Sequence, residues 1–155
     1  MDELVFVYGS NMDLAQMRER CPESPLSPFV AEARGWRLCF PRRSARRKGG
    51  VGSLTEDQSA SSWGVVFTVT KQDLERLDQF EGVPVGAYKR ELIDVVDRYG
   101  KTLRLWTYKA APQEPGGFKP HRDYIELYVQ GAKHFGLPPD YVKFLEQLRE
   151  SDIQS

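Results

Sequence analysis

Apolar segments of strand length fill the first two-thirds of this chain, and two segments of helix length close it. Strands and helices segregated in this way fold as α+β, whereas regular β–α alternation would give a doubly wound sheet. Leu4 to Tyr8 is a short apolar run, the pattern of a buried strand, and it ends at the turn cluster Gly9-Ser10-Asn11. Asp13 or Asn11 can cap a short helix running to about Arg20, with Leu14 and Met17 on one face. Phe29 to Ala33 and Trp36 to Phe40 read as two strands around Gly35, residues 41–50 as a basic, Gly-rich loop, and Val51 to Leu54 as a short strand. Trp63 to Val69 is a strong strand pattern. Thr70 and Asp73 then mark a helix start, with Leu74, Leu77 and Phe80 as its buried face and Gly82 as its stop. Tyr88 to Val96 and Thr102 to Lys109 form a strand pair around Tyr99-Gly100. Residues 111–120 are a Pro- and Gly-rich loop. Helices are expected over 121–135 and 139–149, on either side of Gly136-Leu137-Pro138.

A length of 155 residues suits one domain, expected to span 1–155, without internal repeat or long linker. Lys plus Arg equals Asp plus Glu at 22 each, so the overall charge gives no general pull toward nucleic acid or a membrane. No apolar run reaches the roughly 18 residues of a membrane span. Met1-Asp2-Glu3 leads straight into the first strand, unlike the basic start and longer apolar core of a signal peptide, which points to the cytoplasm. Cys21 and Cys39 form no Cys-x-x-Cys pair and read as buried thiols.

The chemistry is constrained first by absences in the sequence. The two histidines, His121 and His134, have no metal-ligand spacing and read as surface or packing residues. There is no Gly-x-Ser-x-Gly nucleophile elbow, no phosphate-binding loop and no dinucleotide glycine pattern after a strand. An enzyme built from this sequence is expected to need no metal and no cofactor. Four weaker signals remain. The Tyr8-Gly9-Ser10-Asn11 loop follows a strand, and its amides can converge on an anion. Glu81 stands at the end of a helix, where the negative helix terminus raises a carboxyl pKa toward that of a useful general base. Tyr108 and Tyr124 fall on a strand and at a helix start. Arg42, Arg43, Arg46, Arg47 and Lys48 make a basic loop that reads as solvated, with guidance of an anionic substrate or RNA contact as alternatives.

These signals occur together in a recognisable order. Phe6-Val7-Tyr8-Gly9-Ser10-Asn11-Met12 resembles the Tyr-Gly-Ser-Asn-Leu opening of the γ-glutamylcyclotransferase family. Trp63-Gly64-Val65-Val66 resembles that family's strand before the catalytic helix. Leu77-Asp78-Gln79-Phe80-Glu81-Gly82-Val83, followed by Gly86 and Tyr88, is similar to its Leu-Asp-x-x-Glu-Gly-Val signature. Tyr124 and the stretch from Gly131 to Tyr141 resemble its C-terminal helix and turn. The resemblance spans nearly the whole chain.

It implies a small mixed β-barrel flanked by helices, with one cavity. It implies Glu81 as catalytic acid and base, and Tyr8, Gly9, Ser10, Asn11 and Met12 as the substrate-holding loop, with Met12 in place of the usual Leu. Tyr88, Tyr108 and Tyr124 match cavity-lining tyrosines. His121 after Pro120 departs from the family's small Ser there, at the rim of the site. Asn11 separates the chain from the Tyr-Gly-Thr-Leu and Tyr-Gly-Ser-Leu branches of the superfamily. The implied reaction cyclises a γ-glutamyl amide to 5-oxoproline, breaking a C–N bond by acyl transfer within one small-molecule substrate. Neither nucleic acid nor a membrane is an implied partner, and a homodimer is left open. The leaving amine is also left open, as an amino acid or a larger biosynthetic intermediate. A non-catalytic binding module of the same fold is the alternative.

Overall fold

A computed structural model of the protein describes residues 2–111 and 117–151. Its centre is a closed barrel of five strands in the order β1-β3-β2-β4-β5. The strands are β1 (Asp2–Val7), β2 (Leu26–Ser44), β3 (Gly49–Thr70), β4 (Tyr88–Asp97) and β5 (Thr102–Ala110). Neighbours pair antiparallel, except at the closure, where β1 runs parallel to β5 with Val5 opposite Trp106 and Phe6 opposite Thr107. The closure is narrow, since β1 and β5, like β2 and β4, pair through two residues each. Among the described residues four α-helices flank the barrel: α1 (Leu14–Arg20), α2 (Lys71–Phe80), α3 (Arg122–Phe135) and α4 (Pro139–Glu150). The α+β expectation and the barrel with flanking helices are both met.

The middle of β3 shows why its sequence is apolar without alternation. Val65, Val66 and Phe67 are consecutive and each 0% exposed, so both faces of the strand are covered. Phe67 meets the Phe135 ring of α3 edge-on at 5.8 Å. Helix packing on one face and the barrel interior on the other leave no position for a polar residue there.

The sequence reading cut β2 and β3 into pieces. The expected strands 29–33 and 36–40 are one strand, continued past Gly35 by a register shift between Arg34 and Trp36. Gly35 has φ +84°, so the strand bulges and bends there instead of ending. The expected loop 41–50 is mostly strand: Pro41 to Ser44 still belong to β2, Gly49 opens β3, and only residues 45–48 turn. Gly49 and Gly50 mimic a loop in sequence because they lie under another segment. A Cβ on Gly49 would stand 2.6 Å from the Lys119 carbonyl, and one on Gly50 2.6 Å from that of Phe118. The expected strands 51–54 and 63–69 likewise join into one β3 of 22 residues. The helix and strand expectations from residue 70 onward hold to within a residue or two; residues 112–116 of the expected loop lie outside the described residues. Phe80 is the exception on α2, being 58% exposed rather than buried. It occupies the last helical position, beyond the reach of the barrel, and its ring lies 4.8 Å beneath the Arg20 guanidinium. Cys21 is buried as expected, Cys39 only half-buried, and both are free thiols. No helix among the described residues is long and apolar enough to cross a membrane.

Candidate active site

Each chemical group is delivered by the end of an element. The strand β1 ends at Val7, and Tyr8 to Asn11 turn across the barrel mouth, closed by the Met12 N–H donating to the Gly9 carbonyl at 3.0 Å. Asp13 then caps α1 through the Gln16 N–H. Among the described residues the backbone N–H groups of Ser10 and Asn11 carry no hydrogen bond, so both stay available to a ligand oxygen.

On the other side, α2 stops where Gly82 takes up φ +73°, and Glu81 is its C-cap residue. A 3₁₀ turn over Val83–Val85 carries the chain to Gly86, again left-handed, and then into β4 at Tyr88. The Ala87 N–H ties this turn back to the Gly82 carbonyl at 3.0 Å. The turn places Glu81 and Tyr88 on the wall of the same cavity.

That cavity is about 60 Å³ and is lined by Tyr8, Gly9, Ser10, Asn11, Glu81, Tyr88, Tyr108 and Tyr124, all expected from sequence. Met12 is not among them. It is 2% exposed and faces away, packed so closely on α3 that a Cβ on Gly131 would stand 2.6 Å from the Met12 Cβ. The loop turns over at Asn11, so the residue after it anchors the loop to the helix and leaves the cavity.

Asn11 Nδ2 donates to Glu81 Oε2 at 3.0 Å, and Arg20 donates to Asn11 Oδ1 at 2.9 Å. The Arg20 guanidinium lies 3.9 Å from the same Glu81 oxygen. With 14% of its side chain exposed, Glu81 is largely removed from water. Burial raises its pKa most, and Asp78 adds to the rise; the Asn11 hydrogen bond and the Arg20 and Arg47 charges oppose it without cancelling it. The direction agrees with the sequence reading, but the leading cause is desolvation and not the helix terminus.

The tyrosines form two hydrogen-bonded sets. Tyr8 donates to the Tyr108 carbonyl, and the Tyr108 hydroxyl donates to Asp78 Oδ1 at 2.6 Å. Asp78 is in turn paired with Arg90 at 3.0 Å. Tyr88 donates to the Gly52 carbonyl at 2.8 Å, the Gly52 N–H donates to the Tyr124 oxygen at 3.0 Å, and the Tyr124 and Tyr128 hydroxyls share a hydrogen bond of 2.8 Å. Burial pushes all five phenols above their ordinary pKa, so they remain neutral hydrogen-bond partners at any ordinary pH.

The sequence reading missed Tyr128, Gly52 and Arg20. Tyr128 lies one helical turn after Tyr124, a spacing that signals a shared face. Gly52 sits inside a supposed short strand, and its missing side chain makes room for the Tyr128 hydroxyl. Nothing local marks Arg20. His121 caps α3 by accepting the Asp123 N–H at Nδ1, 3.1 Å away, which is the task a small Ser performs at such a position. His134 stacks edge-on against Phe135.

A closed barrel whose mouth gathers one buried carboxylate, an open amide turn and five neutral phenols defines a γ-glutamylcyclotransferase-like barrel. The model of the AIG2-like family matches residues 61–145. Bovine γ-glutamylcyclotransferase is 30% identical over 155 residues, covering 97% of this chain and 81% of the bovine one. The mouse γ-glutamylcyclotransferase is also 30% identical, over 160 residues. A solved structure described as a γ-glutamyl cyclotransferase superposes with a TM-score of 0.88 at 28% identity, covering 98% of this chain and 90% of its own. The chain therefore belongs to the AIG2-like family, on the side of its γ-glutamylcyclotransferases.

Proposed function

We propose that the protein cyclises a γ-glutamyl amide, releasing 5-oxoproline and a free amine, with Glu81 as the acid and base. The observation that carries this is a single buried carboxylate with a raised pKa, fixed by Asn11 of the Tyr8–Asn11 turn and bordering a tyrosine-lined cavity. In such a substrate the α-amine is an internal nucleophile. It attacks the γ-carbonyl to close a five-membered lactam, so no enzyme nucleophile and no water enter the bond-breaking step. Well-oriented intramolecular reactions reach effective molarities of about 10⁵–10⁸ M.

The protein's part is to bend the glutamyl chain, move protons and hold the developing oxyanion. Glu81 accepts the α-ammonium proton and later passes it to the leaving nitrogen. The open Ser10 and Asn11 amides supply donors for the anionic oxygens. Neutral Tyr88 and Tyr124 offer fixed dipoles against the chain of the substrate. The tyrosines are already hydrogen-bonded, so little reorganisation accompanies the reaction.

The test is to incubate the protein with a panel of γ-glutamyl dipeptides and amides and to measure 5-oxoproline. Positioned acid–base catalysis contributes about 10²–10⁴-fold. Glu81→Gln is expected to lose at least about 100-fold while keeping its circular dichroism spectrum. Ligand binding without product from any member of the panel would favour a binding module, and near-native turnover by Glu81→Gln would remove the role assigned to Glu81.

A further inference from the structure

Beside the 60 Å³ cavity, and also lined by Glu81, lies an outer recess of about 400 Å³. The two share Ser10, Asn11, Glu81, Tyr88 and Tyr124, so they adjoin at the carboxylate. The outer recess has an unusual wall. Five arginines line it, Arg20, Arg42, Arg43, Arg46 and Arg47, against one carboxylate, Glu81.

Arg20, Arg42 and Arg47 are half-buried and Arg43 and Arg46 exposed, on a backbone that is itself held in place. Arg42 and Arg43 are on β2, in register with Val51 and Gly50 of β3. The Arg47 N–H donates to Ser44 Oγ at 3.2 Å and that of Lys48 to the Ala45 carbonyl at 3.2 Å, which closes the turn. The arm is clamped from outside: Gly50 N–H donates to the Lys119 carbonyl and Phe118 N–H to the Phe40 carbonyl, both at 2.8 Å. The Arg47 guanidinium lies 5.4 Å over the Tyr124 ring. Among the described residues Arg42, Arg46 and Arg47 form no ion pair. Asp123 lines a smaller adjoining recess with Arg46 and Arg47 and faces His121 at 3.8 Å.

This inference rests on the cyclotransferase reading. If the inner cavity takes the glutamyl group, the group on the scissile nitrogen must extend past Glu81 into the outer recess. A single α-carboxylate can be satisfied by one bidentate guanidinium. The wall holds three that form no ion pair among the described residues, so its positive charge can take up more negative charge than one carboxylate carries. We propose that the outer recess is the leaving-group subsite and selects amines bearing at least two anionic groups, with Arg42, Arg46 and Arg47 as the specificity-determining residues.

The experiment compares near-isosteric pairs: γ-glutamyl-glutamate with γ-glutamyl-glutamine, and γ-glutamyl-O-phosphoserine with γ-glutamyl-serine. The extra charge is expected to raise kcat/KM about tenfold at low salt, as charge-assisted contacts of this kind allow, with the advantage shrinking in 0.5 M salt. The two pairs separate a second carboxylate from a phosphate. Replacing Arg42, Arg46 and Arg47 with Gln together should bring each ratio toward one; single Arg46→Gln and Arg47→Gln variants serve if the triple variant does not fold. Calorimetric binding of the same pairs to Glu81→Gln reads the preference independently of turnover. Preferential binding of the charged members, with no product from the native protein, supports the subsite and defeats the proposed reaction. Turnover with equal ratios for charged and neutral members overturns the subsite and leaves the reaction standing.

Discussion

Asn11 and Glu81, 70 residues apart in sequence, meet at 3.0 Å, joining the turn after the first strand to the end of α2. The bond opposes the desolvation that raises the Glu81 pKa, and Arg20 acts in the same direction from 3.9 Å. Removing either partner should raise that pKa further. A base works only when ionised, so the acid limb of kcat/KM should move to higher pH in Asn11→Ala and in Arg20→Gln. Loss of a hydrogen bond to a charged group predicts activity about tenfold lower near pH 6, much of it recovered near pH 9. A pH–rate profile settles this. A uniform loss at every pH would mean that these residues hold substrate and do not tune the base.

The same carboxyl makes a prediction about stability. Burial raises its folded pKa above the ordinary glutamate value of about 4.3. Between those two values the folded protein holds a proton that the unfolded chain has released, so stability falls as pH rises through the interval. Glu81→Gln has no such loss, and its amide oxygen can still accept from Asn11. Its melting temperature should exceed that of the native protein at pH 8, and the gain should shrink toward zero near pH 4. Calorimetric melts of both proteins across this range check it; a gain that grows as pH falls contradicts the raised pKa.

Asp73 carries the opposite sign. It is 0% exposed at the first turn of α2, and it accepts from the Glu23 N–H at 3.0 Å, from the Ser24 hydroxyl at 2.6 Å and from Arg76. Burial alone would raise its pKa, but these donors outweigh it and hold the carboxyl below the ordinary range. The stabilisation is present above the unfolded value of about 3.9 and is lost as pH falls through the depressed folded one. Asp73→Ala, which leaves these donors unpaired in a buried place, should destabilise by about 3 kcal/mol at pH 7. The penalty should diminish in urea titrations below pH 3. An equal penalty at pH 7 and pH 2.5 would assign the effect to packing alone.

What could be read from sequence divides along the same physical lines. Asp13 and Thr70 cap their helices and Gly82 ends α2 because these are interactions between residues a few positions apart. Glu81, Tyr8 and Asn11 were legible because they fall in short ordered motifs. The long strands were not. Gly35 reads as a break, yet a bulge bends the strand through it. Gly49 and Gly50 read as loop chemistry, yet they are strand residues like Gly52, and all three are emptied of side chains so that the Phe118–His121 backbone and the Tyr124–Tyr128 pair can approach. The arginine turn reads as solvated and is in part exposed, at Arg43, Arg46 and Lys48; that it also lines a recess beside Glu81 depends on contacts far apart in the chain. Met12 shows the converse: a motif position carried over by resemblance whose side chain turns away from the site.

Gly52 and Tyr128 test that last account of the glycines. A Cβ on Gly52 would lie 2.0 Å from the Tyr128 hydroxyl oxygen and 3.2 Å from the ring carbon that bears it. The clash is almost entirely with one atom. Gly52→Ala should therefore destabilise by about 1–3 kcal/mol through overpacking, and displace the Tyr124–Tyr128 pair. Tyr128→Phe removes the offending oxygen but also the hydrogen bond with Tyr124, and should lower stability by about 1 kcal/mol. In the double variant most of the clash is gone, so the two effects should fall short of their sum by at least about 1 kcal/mol. A double-mutant cycle in urea measures the coupling directly. Strict additivity would mean that Gly52 is required for its backbone alone and that the hydroxyl does not occupy its side-chain space.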